Sequence, residues 1–422
     1  MLDIKFIREN PDKVREGAAA KNINVPLDEI LRLDSEYREL SQVLQELYTQ
    51  RNRAAKERDV EGGREIKAEV GSQESKLREV EEKLNALLWD IPNLPLDDVP
   101  IGEASNFELI KKSGLVKVHK FRVRDHLEIG EMLNIIDVER AGKVSGTRFG
   151  YLKNEGVLLE LALVQFAMDS LMKEGFSPVI PPSLIKFEIT QKLGYWNAGN
   201  HNNYYLVSDY EDLGGGKEQD NPLYLIGTGE HAIVPLHKDE TLLGKELPMK
   251  YAAFSPCYRR EAGSYGRDTR GILRVHQFDK VEMVEFVKPE DDERERNKML
   301  SIAENLMQAL ELPYQVVKLA SGDLAFPSAE TVDIETWFPS QNKYRETHSV
   351  STTTDFQARR LNIKYQDGSE KGFVHILNGT AFAIGRTLIA ILENYQQEDG
   401  SVVVPEVLRN YINLDKITPK KR

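Results

Sequence analysis

The sequence contains very little cysteine, because Cys257 is the only one in 422 residues. A single cysteine cannot form a disulfide within the chain, and a zinc site would need at least three ligands of other kinds. No window approaches about 18 uninterrupted apolar residues, and the initial stretch MLDIKFIREN carries charges where a signal peptide has its apolar centre. We therefore expect a cytoplasmic protein without zinc that is neither secreted nor membrane-spanning.

The common phosphate-binding motifs are also missing. The chain has no GxxxxGK[ST] loop, and no GxGxxG opens a helix after a strand. If ATP binds to this protein, it must bind by other means. The formal net charge of -12 argues against a uniformly basic nucleic-acid binder, although local clusters of arginine and lysine would still allow contacts with phosphates.

What the sequence does have is a long helical pattern near its start. Apolar residues from position 27 to about 58 recur in alternating steps of three and four, with Arg51 in one slot. They are Ile30, Leu33, Tyr37, Leu40, Leu44, Leu47 and Ala54. The spacing resumes after Glu61-Gly62-Gly63, where we expect a break, and runs through Ile66, Val70, Gln73, Leu77, Val80, Leu84 and Leu87 until Pro92 and Pro95 end it. Two such helices must fold back to bury their apolar seams, which predicts an antiparallel coiled-coil arm roughly 45 Å long.

Basic residues gather near the predicted turn of this arm. They are Arg51, Arg53, Lys56, Arg58, Arg64 and Lys67. A polyanion far from the rest of the protein could contact them there. The alternative is an ordinary solvated surface with i,i+4 pairs to Glu57 and Glu61, and the charges alone do not decide between the two interpretations.

The proline-rich segment at residues 90–100 separates the arm from a region with a different pattern. We predict a helical-hairpin domain over residues 1–100 and a second domain over residues 101–422. Short apolar runs at 224–226, 251–254 and 281–287 are typical of strands. Because strands outnumber clean βαβ alternations, an α+β fold with an antiparallel sheet flanked by helices is favoured over a doubly wound fold.

The stretch FSPCYRREAGSYGRDTRGILRVHQFDKVE, residues 254–282, predicts a strand, a charged loop broken by glycines, and a second strand. Arginines stand at positions 259, 260, 267, 270 and 274 of a chain with net negative charge. A hairpin loop does not need this density of arginine in order to fold. The composition therefore favours binding of an anionic ligand over a solvated loop.

This stretch resembles motif 2 of class II aminoacyl-tRNA synthetases, in the form found in seryl-tRNA synthetases, and the resemblance covers nearly the whole chain. It implies that Arg259 binds the α-phosphate of ATP, where a rigid guanidinium fork suits a phosphate oxygen. Arg260 and Glu261 would belong to the same ATP site, with Glu261 orienting the adenine. Phe278 would stack on the adenine, and its alternative role is that of an ordinary core aromatic.

Other segments match further motifs of the same family. Residues 175–182, GFSPVIPP, resemble motif 1, which builds the dimer interface in the family and so implies a homodimer. Residues 378–386, NGTAFAIGR, resemble motif 3 and imply that Arg386 binds the γ-phosphate side of a bent ATP, as a second catalytic residue beside Arg259. Residues 344–349, YRETHS, match a segment that contacts ATP in members of this family. The match implies ATP-site roles for Glu346, Thr347, His348 and Ser349. Glu346 and Ser349 would also hold Mg²⁺, an ion that prefers hard oxygen ligands.

The resemblance also assigns a serine pocket, made of Thr228, Gly229, Glu230, Arg259, Glu282 and Thr380. A carboxylate pair such as Glu230 and Glu282 can accept hydrogen bonds from the ammonium and hydroxyl groups of serine. A polar pocket that alanine leaves unsatisfied would reject alanine strongly. Gly229, Thr380, Ala381 and Val350 depart from the commonest family form, which changes the pocket walls but removes none of the charged residues.

The implied function is that of a serine–tRNA ligase, which makes seryl-adenylate from L-serine and ATP and then transfers serine to tRNA(Ser). The arm would contact the long variable arm of the tRNA through Arg51, Arg53, Lys56 and Arg58. The tRNA for selenocysteine, tRNA(Sec), is a candidate second acceptor.

Three alternatives remain. The main one is a paralogue that loads its amino acid onto a carrier protein, which would lose or shorten the arm. A catalytically inactive relative should lack at least one of Arg259, Glu261, Glu346 and Arg386, and all of them are present. A coiled-coil scaffold would leave the second domain unexplained.

Overall fold

The computed structural model describes residues 1–196, 200–207, 222–262, 268 and 270–419. The chain divides into two compact units, Met1–Leu94 and Pro95–Arg422. The boundary falls inside the proline-rich segment. None of the described helices is long and apolar enough to cross a membrane.

The first unit is helical, as its sequence period predicts. It consists of α1 (Ile4–Glu9), α2 (Pro11–Ala20), α3 (Leu27–Glu57) and α4 (Val60–Trp89). The predicted seam of the hairpin is confirmed. Near the base it buries Ile30, Leu33, Val80 and Leu84, and further out it buries Leu44, Leu47 and Val70. The two short helices, which the sequence pattern did not predict, pack on the base through Ile7, Val14 and Ala18.

The turn between α3 and α4 is shorter than the sequence suggested. Arg58 adopts a left-handed conformation with φ of 58°, and Asp59 caps α4 by accepting a hydrogen bond from the backbone N–H of Gly62 at 3.0 Å. The prediction of a break at Glu61-Gly62-Gly63 is wrong, because these residues form the first turn of α4. A helical glycine costs about 1 kcal/mol relative to alanine. The cap and the buried seam offset that cost.

The second unit mixes helices and strands. The helices are α5 (His126–Leu133), α6 (Val138–Ser145), α7 (Glu155–Lys173), α8 (Phe187–Leu193), α9 (Glu230–Ile233), α10 (Asp292–Ala309), α11 (Phe356–Leu361), α12 (Ile384–Asn394) and α13 (Glu406–Ile412). The strands are β1 (Glu108–Ser113), β2 (Ile136–Asp137), β3 (Tyr151–Leu152), β4 (Ser177–Val179), β5 (Leu184–Lys186), β6 (Leu206–Val207), β7 (Leu223–Leu225), β8 (Thr241–Leu243), β9 (Met249–Tyr258), β10 (Gln277–Val287), β11 (Tyr314–Lys318), β12 (Glu330–Phe338), β13 (Lys343–Thr352), β14 (Lys364–Asp367), β15 (Glu370–Phe373), β16 (His375–Ala383), β17 (Val402–Val403) and β18 (Lys416–Ile417).

Within the described ranges, the main sheet has eight strands in the order β1-β11-β12-β13-β16-β10-β9-β4. Each neighbouring pair is antiparallel except β4 and β9, which are parallel. This confirms the α+β fold with an antiparallel sheet. The predicted strand-loop-strand hairpin is also present, because β9 and β10 pair from Met249 and Phe286 at one end to Tyr258 and Gln277 at the other.

The two faces of the main sheet carry different side chains. One face is apolar and packs on α7, α10 and α12, burying for example Val281, Met283 and Phe382. The other face is apolar only at one end, where Val284 and Phe286 pack with residues of α9 and α11. The remainder of that second face is lined with polar side chains, and this polar area is where the candidate site lies.

Candidate active site

A cavity of about 440 Å³ opens on the polar face of the main sheet. Its floor comes from alternate residues of the central strands, because side chains at positions i and i+2 of a strand point to the same face. These residues are Lys280 and Glu282 on β10, Asn378 and Thr380 on β16, and Ser349 and Ser351 on β13. Residues from three separate sequence segments thus form one continuous polar surface, because alternate side chains of each strand face the cavity.

The predicted serine-pocket residues meet in this cavity. Thr228, Glu230, Arg259, Glu282 and Thr380 all line it. Glu282 and Thr380 are cross-strand partners, and the two threonines and both glutamates are almost completely buried. Gly229 packs beneath them, since a Cβ at this position would lie 3.1 Å from the Ala253 Cβ and 3.4 Å from the Glu282 Cβ. The arrangement is a polar pocket that contains two carboxylates.

A β-bulge turns Thr380 toward the cavity. Val281 pairs with Phe382 and Glu282 pairs with Thr380, which leaves Ala381 as an extra residue in β16. Thr380 and Phe382 would share one face of a regular strand, yet Thr380 lines the cavity while Phe382 is in the apolar core. The extra residue changes the alternation, as bulges beside active sites often do.

The carboxylate of Glu230 receives hydrogen bonds from two neutral side chains that the sequence did not single out. The Tyr195 hydroxyl lies 2.8 and 3.0 Å from its two oxygens, and Gln357 Nε2 donates to Oε1 at 3.1 Å. Burial raises the pKa of Glu230 to about 7, the nearby Glu282 carboxylate adds to this rise, and the hydrogen bonds from Gln357 and Tyr195 oppose it. The pKa of the Glu230 carboxyl group therefore lies close to neutral pH.

Lys280 is a third residue that sequence reasoning missed. Its Nζ forms an ion pair with Glu282 and donates a hydrogen bond to Thr228 Oγ1 at 3.2 Å. The lysine side chain is 10% exposed, so this pair is largely removed from water. The available signal was its spacing of two from Glu282, because Lys280 directly precedes the predicted strand at 281–287 and a strand that began slightly earlier would place both side chains on one face.

A second bulge brings Glu346 and Ser349 to the same face of β13. Residues three apart would point to opposite faces of a regular strand. Ile334 pairs with His348 and Glu335 pairs with Glu346, which leaves Thr347 as an extra residue. Both Glu346 and Ser349 consequently line the cavity. The spacing Glu-x-x-Ser has chemical meaning only because of this bulge.

Arg386 contacts Glu346 directly. Its Nη1 lies 3.0 Å from Oε1 and 3.0 Å from the backbone oxygen of Glu346, and the guanidinium lowers the pKa of the carboxyl group. Arg386 belongs to the first turn of α12, where the helix N-terminus adds positive potential. A carboxylate that lines the cavity, a guanidinium and a helix start therefore meet beside the cavity.

Six of the nine predicted ATP-site residues line a smaller recess of about 50 Å³, which shares Arg259, Lys280, Glu346 and Thr380 with the main cavity. Its further lining includes Glu261, Phe278, Thr347 and Arg386. Arg259 Nε donates to the Gly227 backbone oxygen at 2.9 Å, and its guanidinium carbon lies 5.3 Å from the centre of the Phe278 ring. One edge of the guanidinium is thus fixed by the protein while the rest faces the recess.

The surroundings of Glu261, Arg260 and His348 differ from one another. Glu261 has φ of 52° and accepts a hydrogen bond from Arg274 Nη1 at 2.8 Å, whereas Arg260 is exposed to solvent. The His348 ring is buried, with its centre 5.7 Å from that of Phe382, and burial lowers its pKa to about 3. Any contact between His348 and ATP would have to come from its backbone. Arg267 of the predicted arginine cluster lies outside the described residues.

The lining of the cavity includes Glu346 and Ser349, the two residues predicted to hold Mg²⁺. No group of three or more His, Cys, Asp or Glu side chains arranged to hold a metal ion occurs in the part of the chain that is described. Mg²⁺, however, commonly uses one or two protein oxygens and takes the rest from phosphates and water. Glu346 and Ser349 supply such oxygens on one face. Asp333, the cross-strand partner of Ser349, lines the same cavity with an Oδ1 that has no hydrogen-bond partner among the described residues. The donor set fits this ion.

Comparison with known proteins agrees with this arrangement. Residues 1–95 match the seryl-tRNA synthetase N-terminal domain, and residues 205–395 match the tRNA synthetase class II core domain (G, H, P, S and T). A serine–tRNA ligase of Thermodesulfovibrio yellowstonii is 43% identical, over 99% of this chain and 100% of its own length. A serine–tRNA ligase of Dictyoglomus thermophilum is 42% identical over 100% of both chains. The chain belongs to the seryl-tRNA synthetase family.

Solved structures of this family superimpose closely. A seryl-tRNA synthetase from Pyrococcus horikoshii, complexed with ATP, has a TM-score of 0.91 at 37% identity over 100% of both chains. The cytoplasmic serine–tRNA ligase from Naegleria fowleri, complexed with AMP, has a TM-score of 0.89 at 32% identity and covers 100% of this chain and 99% of its own. A prolyl-tRNA synthetase from Giardia lamblia, at 16% identity and a TM-score of 0.59, shares the fold alone. The protein is therefore a class II aminoacyl-tRNA synthetase.

The N-terminal hairpin of this seryl-tRNA synthetase family member presents the predicted basic residues on its surface. Arg51, Arg53 and Lys56 are exposed on the last turns of α3, and Arg58 is exposed at the turn itself. Arg53 pairs with Glu57 at 2.9 Å, and the Arg51 guanidinium carbon lies 5.0 Å from the centre of the Tyr48 ring. One predicted i,i+4 pair thus forms, and the tip keeps exposed positive charge.

Proposed function

We propose that this protein activates L-serine with ATP to form seryl-adenylate and transfers the serine to tRNA(Ser). The observation that carries the proposal is the continuity of the two recesses. The carboxylates of Glu230 and Glu282 line the main cavity together with Arg259, and Arg259 also lines the smaller recess beside Arg386. An amino acid bound by the carboxylates would present its own carboxylate toward the arginines, where the α-phosphate of ATP is expected.

The serine end of the cavity favours a small hydroxylated amino acid. The ammonium group of the substrate would pair with Glu230, and its hydroxyl would reach Glu282 and Thr380. Alanine or glycine would leave these buried groups without a partner, which costs about 1–3 kcal/mol for each unsatisfied group. The pocket would exclude a larger side chain because Gly229 and Ala253 already pack closely beneath it.

The phosphate end needs little covalent chemistry from the protein. In the first step a carboxylate oxygen of serine attacks the α-phosphorus and pyrophosphate leaves. In the second step a terminal ribose hydroxyl of the tRNA attacks the carbonyl carbon and AMP leaves. Arg259 and Arg386 would hold the phosphates in line and offset the developing negative charge, which are positional and electrostatic contributions.

Mg²⁺ is the proposed metal partner of this site, held by Glu346 and Ser349. When bound, the ion would neutralise phosphate charge. The role of the chain's own residues is to keep hard oxygen ligands on the cavity face, which the bulge at Thr347 makes possible. Arg386 would hold Glu346 ionised for this purpose, because it lowers the pKa of that carboxyl group.

The hairpin is the proposed docking surface for the long variable arm of tRNA(Ser). Arg51, Arg53, Lys56 and Arg58 would contact its phosphates. Recognition of this kind depends on RNA shape and backbone more than on base sequence. An acceptor with a similar long arm, tRNA(Sec), is for that reason included among the RNAs to be tested. We assign the reaction to the cytoplasm, where ATP and tRNA are available, on the basis of the sequence alone.

A homodimer is part of the proposal. The helix α7 and the motif 1 segment leave large apolar side chains exposed, among them Leu161 at 56% and Ile180 at 80%. Exposed apolar side chains near one another are typical of subunit interfaces. Sedimentation velocity would test this directly, and a stable monomer with full activity would contradict it.

The test of the function combines two assays. Pyrophosphate exchange into ATP with each of the twenty amino acids should respond to serine, and aminoacylation should occur with tRNA(Ser). The competing function, loading of an amino acid onto a carrier protein, predicts exchange without transfer to tRNA. The complete hairpin is the observation that favours tRNA as acceptor.

A further inference from the structure

The carboxylate of Glu230 is surrounded by more structure than its proposed contact with serine requires. Only 3% of the residue is exposed, and the Tyr195 hydroxyl and Gln357 Nε2 both point at it. Tyr195 follows α8 and Gln357 lies in α11. Two elements that are distant in sequence therefore each contribute one hydrogen-bond donor to a single carboxylate.

The orientation of Gln357 is set by its other contacts. One end of its amide lies 3.2 Å from the Leu193 backbone oxygen, which can only accept a hydrogen bond, so this end is the nitrogen Nε2. The same nitrogen donates to Glu230 at 3.1 Å, and the amide oxygen at the other end lies 3.2 Å from Thr353 Oγ1. Gln357 is buried completely, so it cannot exchange these partners for water. Its donor is fixed before any substrate arrives.

Tyr195 is fixed in a comparable way. Its ring centre lies 4.9 Å from that of His231, and its hydroxyl reaches both oxygens of Glu230. Burial and the adjacent Glu230 raise the pKa of Tyr195 well above its usual value, so the phenol stays protonated and remains a donor. The hydroxyl also lines the cavity, which brings it close to the position where an ammonium group would bind.

One of the remaining groups around Glu230 carries a compensating charge. Lys280 on β10 lowers the pKa of Glu230, but its ammonium group is paired with Glu282 and donates to Thr228, and Glu282 itself is a like charge that raises that pKa. His231 on α9 is neutral, because burial lowers its pKa to about 3. Tyr204 is a further neutral neighbour.

Neutral donors have a specific advantage at this position. A lysine or arginine beside Glu230 would hold it ionised, but it would also cancel the charge that the substrate ammonium needs. A hydroxyl and an amide stabilise the carboxylate without changing its net charge. The full negative charge then remains available for the ammonium group.

We propose that Tyr195 and Gln357 are positioning residues for serine recognition, which keep the Glu230 carboxylate oriented and ionised for the substrate ammonium without neutralising it. This inference depends on the proposed function, since it assumes that serine is the substrate. It predicts that both residues affect the binding of serine and that neither affects the binding of ATP.

The variants Tyr195→Phe and Gln357→Met each remove one donor while nearly keeping the size of the side chain. In serine-dependent pyrophosphate exchange at about pH 6.5, each should raise the KM for serine roughly tenfold, as expected for loss of a hydrogen bond to a charged group. The KM for ATP and the kcat at saturating serine should stay within about twofold of the wild type.

The pH dependence separates this role from a merely structural one. Each donor lowers the pKa of Glu230, so its removal raises that pKa further above the value of about 7 in the intact site. Less Glu230 is then ionised at low pH, and more becomes ionised as the pH rises. The increase in serine KM should accordingly shrink between about pH 6.5 and about pH 8. A loss that is equal at both pH values and accompanied by a higher KM for ATP would overturn the proposal.

Tyr314→Phe is the matched control. Tyr314 is also buried and its hydroxyl also donates to a carboxylate, that of Glu304 at 3.0 Å, but it does not line the cavity. This variant should leave the serine KM unchanged at both pH values. Since Tyr195→Phe removes a single oxygen atom, it keeps the test decisive if Gln357→Met does not fold.

The same experiment separates failure of this inference from failure of the proposed function. Absence of serine-dependent exchange by the wild-type protein would refute the function itself. Normal exchange by the wild type, with an unchanged serine KM in both Tyr195→Phe and Gln357→Met, would refute only the positioning role.

Discussion

The helical hairpin and the cavity of the main sheet are built from different kinds of contact. In the hairpin, Tyr48 and Glu74 face each other across two helices joined by a two-residue turn, and they are 26 residues apart in sequence. In the cavity, Gln357 and Glu230 are 127 residues apart and meet only because α11 and α9 pack on the same face of the sheet. The hairpin therefore depends on a local repeat, and the cavity depends on the whole second unit.

This difference has a functional counterpart in the proposed reaction. A rod held together by its own seam can change its length or surface charge while the cavity stays the same. The cavity, by contrast, combines activation chemistry and serine recognition in residues that share neighbours, so single changes there should couple. We expect the two regions to separate cleanly in assays of amino-acid activation and of transfer to tRNA.

The largest expected effect comes from Arg259→Ala. The Arg259 guanidinium is held by the Gly227 backbone oxygen at 2.9 Å and supports no apolar core, so the fold should survive its removal. Serine-dependent pyrophosphate exchange should fall by roughly 10³-fold, at the upper end of what one preorganised donor contributes. The control is Arg294→Ala, which removes an exposed arginine paired with Asp291 and Glu295. Wild-type exchange in Arg259→Ala would contradict the assignment of the phosphate end.

Shortening the hairpin should have the next largest effect, and only on transfer. Removing residues 45–76 and joining Leu44 to Leu77 through a short Gly-Ser turn keeps the base cluster on which α1 and α2 pack. Aminoacylation of tRNA(Ser) should fall by roughly 10²-fold because the phosphate contacts are lost, while pyrophosphate exchange stays near the wild-type level. Equal losses in both assays would mean that the hairpin supports the second unit, and full aminoacylation would mean that it does not bind tRNA.

Glu282→Gln tests the serine end of the cavity. The change leaves Lys280 without its partner, and its positive charge would then repel the ammonium group of serine. The KM for serine should rise by about 30–100-fold, the cost of losing a close buried charge pair, with little change in the KM for ATP. Glu285→Gln is the control, since Glu285 also pairs with a lysine, Lys250, and does not line the cavity. A selective rise in the KM for ATP would assign Glu282 to the nucleotide site.

Replacing Arg51, Arg53, Lys56 and Arg58 by alanine should reproduce part of the loss caused by shortening the hairpin. Their removal should raise the KM for tRNA by roughly tenfold at low salt and should weaken its salt dependence, since fewer phosphate contacts release counterions. A matched set that removes four cations elsewhere in the first unit is Arg15, Arg32, Lys76 and Lys83. If both sets weaken tRNA binding equally, the effect reflects total charge and not a defined docking surface.

Gly229→Ala should have the smallest effect. An added Cβ would lie 3.1 Å from the Ala253 Cβ and 3.4 Å from the Glu282 Cβ, so Ala253 on strand β9 would have to shift by a few tenths of an ångström. The KM for serine should rise by about two- to fivefold, as small misplacements at a binding site cost little energy compared with a lost charge. An unchanged KM would show that the pocket absorbs the extra methyl group.

The sequence predicted the hairpin because its stability arises from a repeat that can be counted. The seam from Ile30 to Leu87 follows the helical period, and it is buried as that period requires. The prediction of a break at Glu61-Gly62-Gly63 was wrong, because the position of a helix cap depends on a single hydrogen bond. Here the Gly62 N–H donates that bond to the Asp59 side chain. Glycine signals a break only where no cap and no packing offset its cost.

The site was predicted less completely. Resemblance to a family supplied most of the charged residues of the cavity. It did not supply Lys280, for which the spacing from Glu282 was the available signal, and the donors Tyr195 and Gln357 carried no recognisable pattern. A tyrosine or glutamine becomes a partner of Glu230 only when two distant helices are packed. The hydrogen-bond distances that define this network are products of tertiary structure.

The sequence by itself determined the helical hairpin, the strand-rich second unit and the family membership, because periodicity and short motifs depend on residues close together in the chain. Only the tertiary structure decided which side chains share the cavity. The bulges at Thr347 and Ala381 turn Glu346 and Thr380 toward it, against the simple alternation of a strand. Such shifts depend on how neighbouring strands pair, and strand pairing is settled by the packing of the whole sheet.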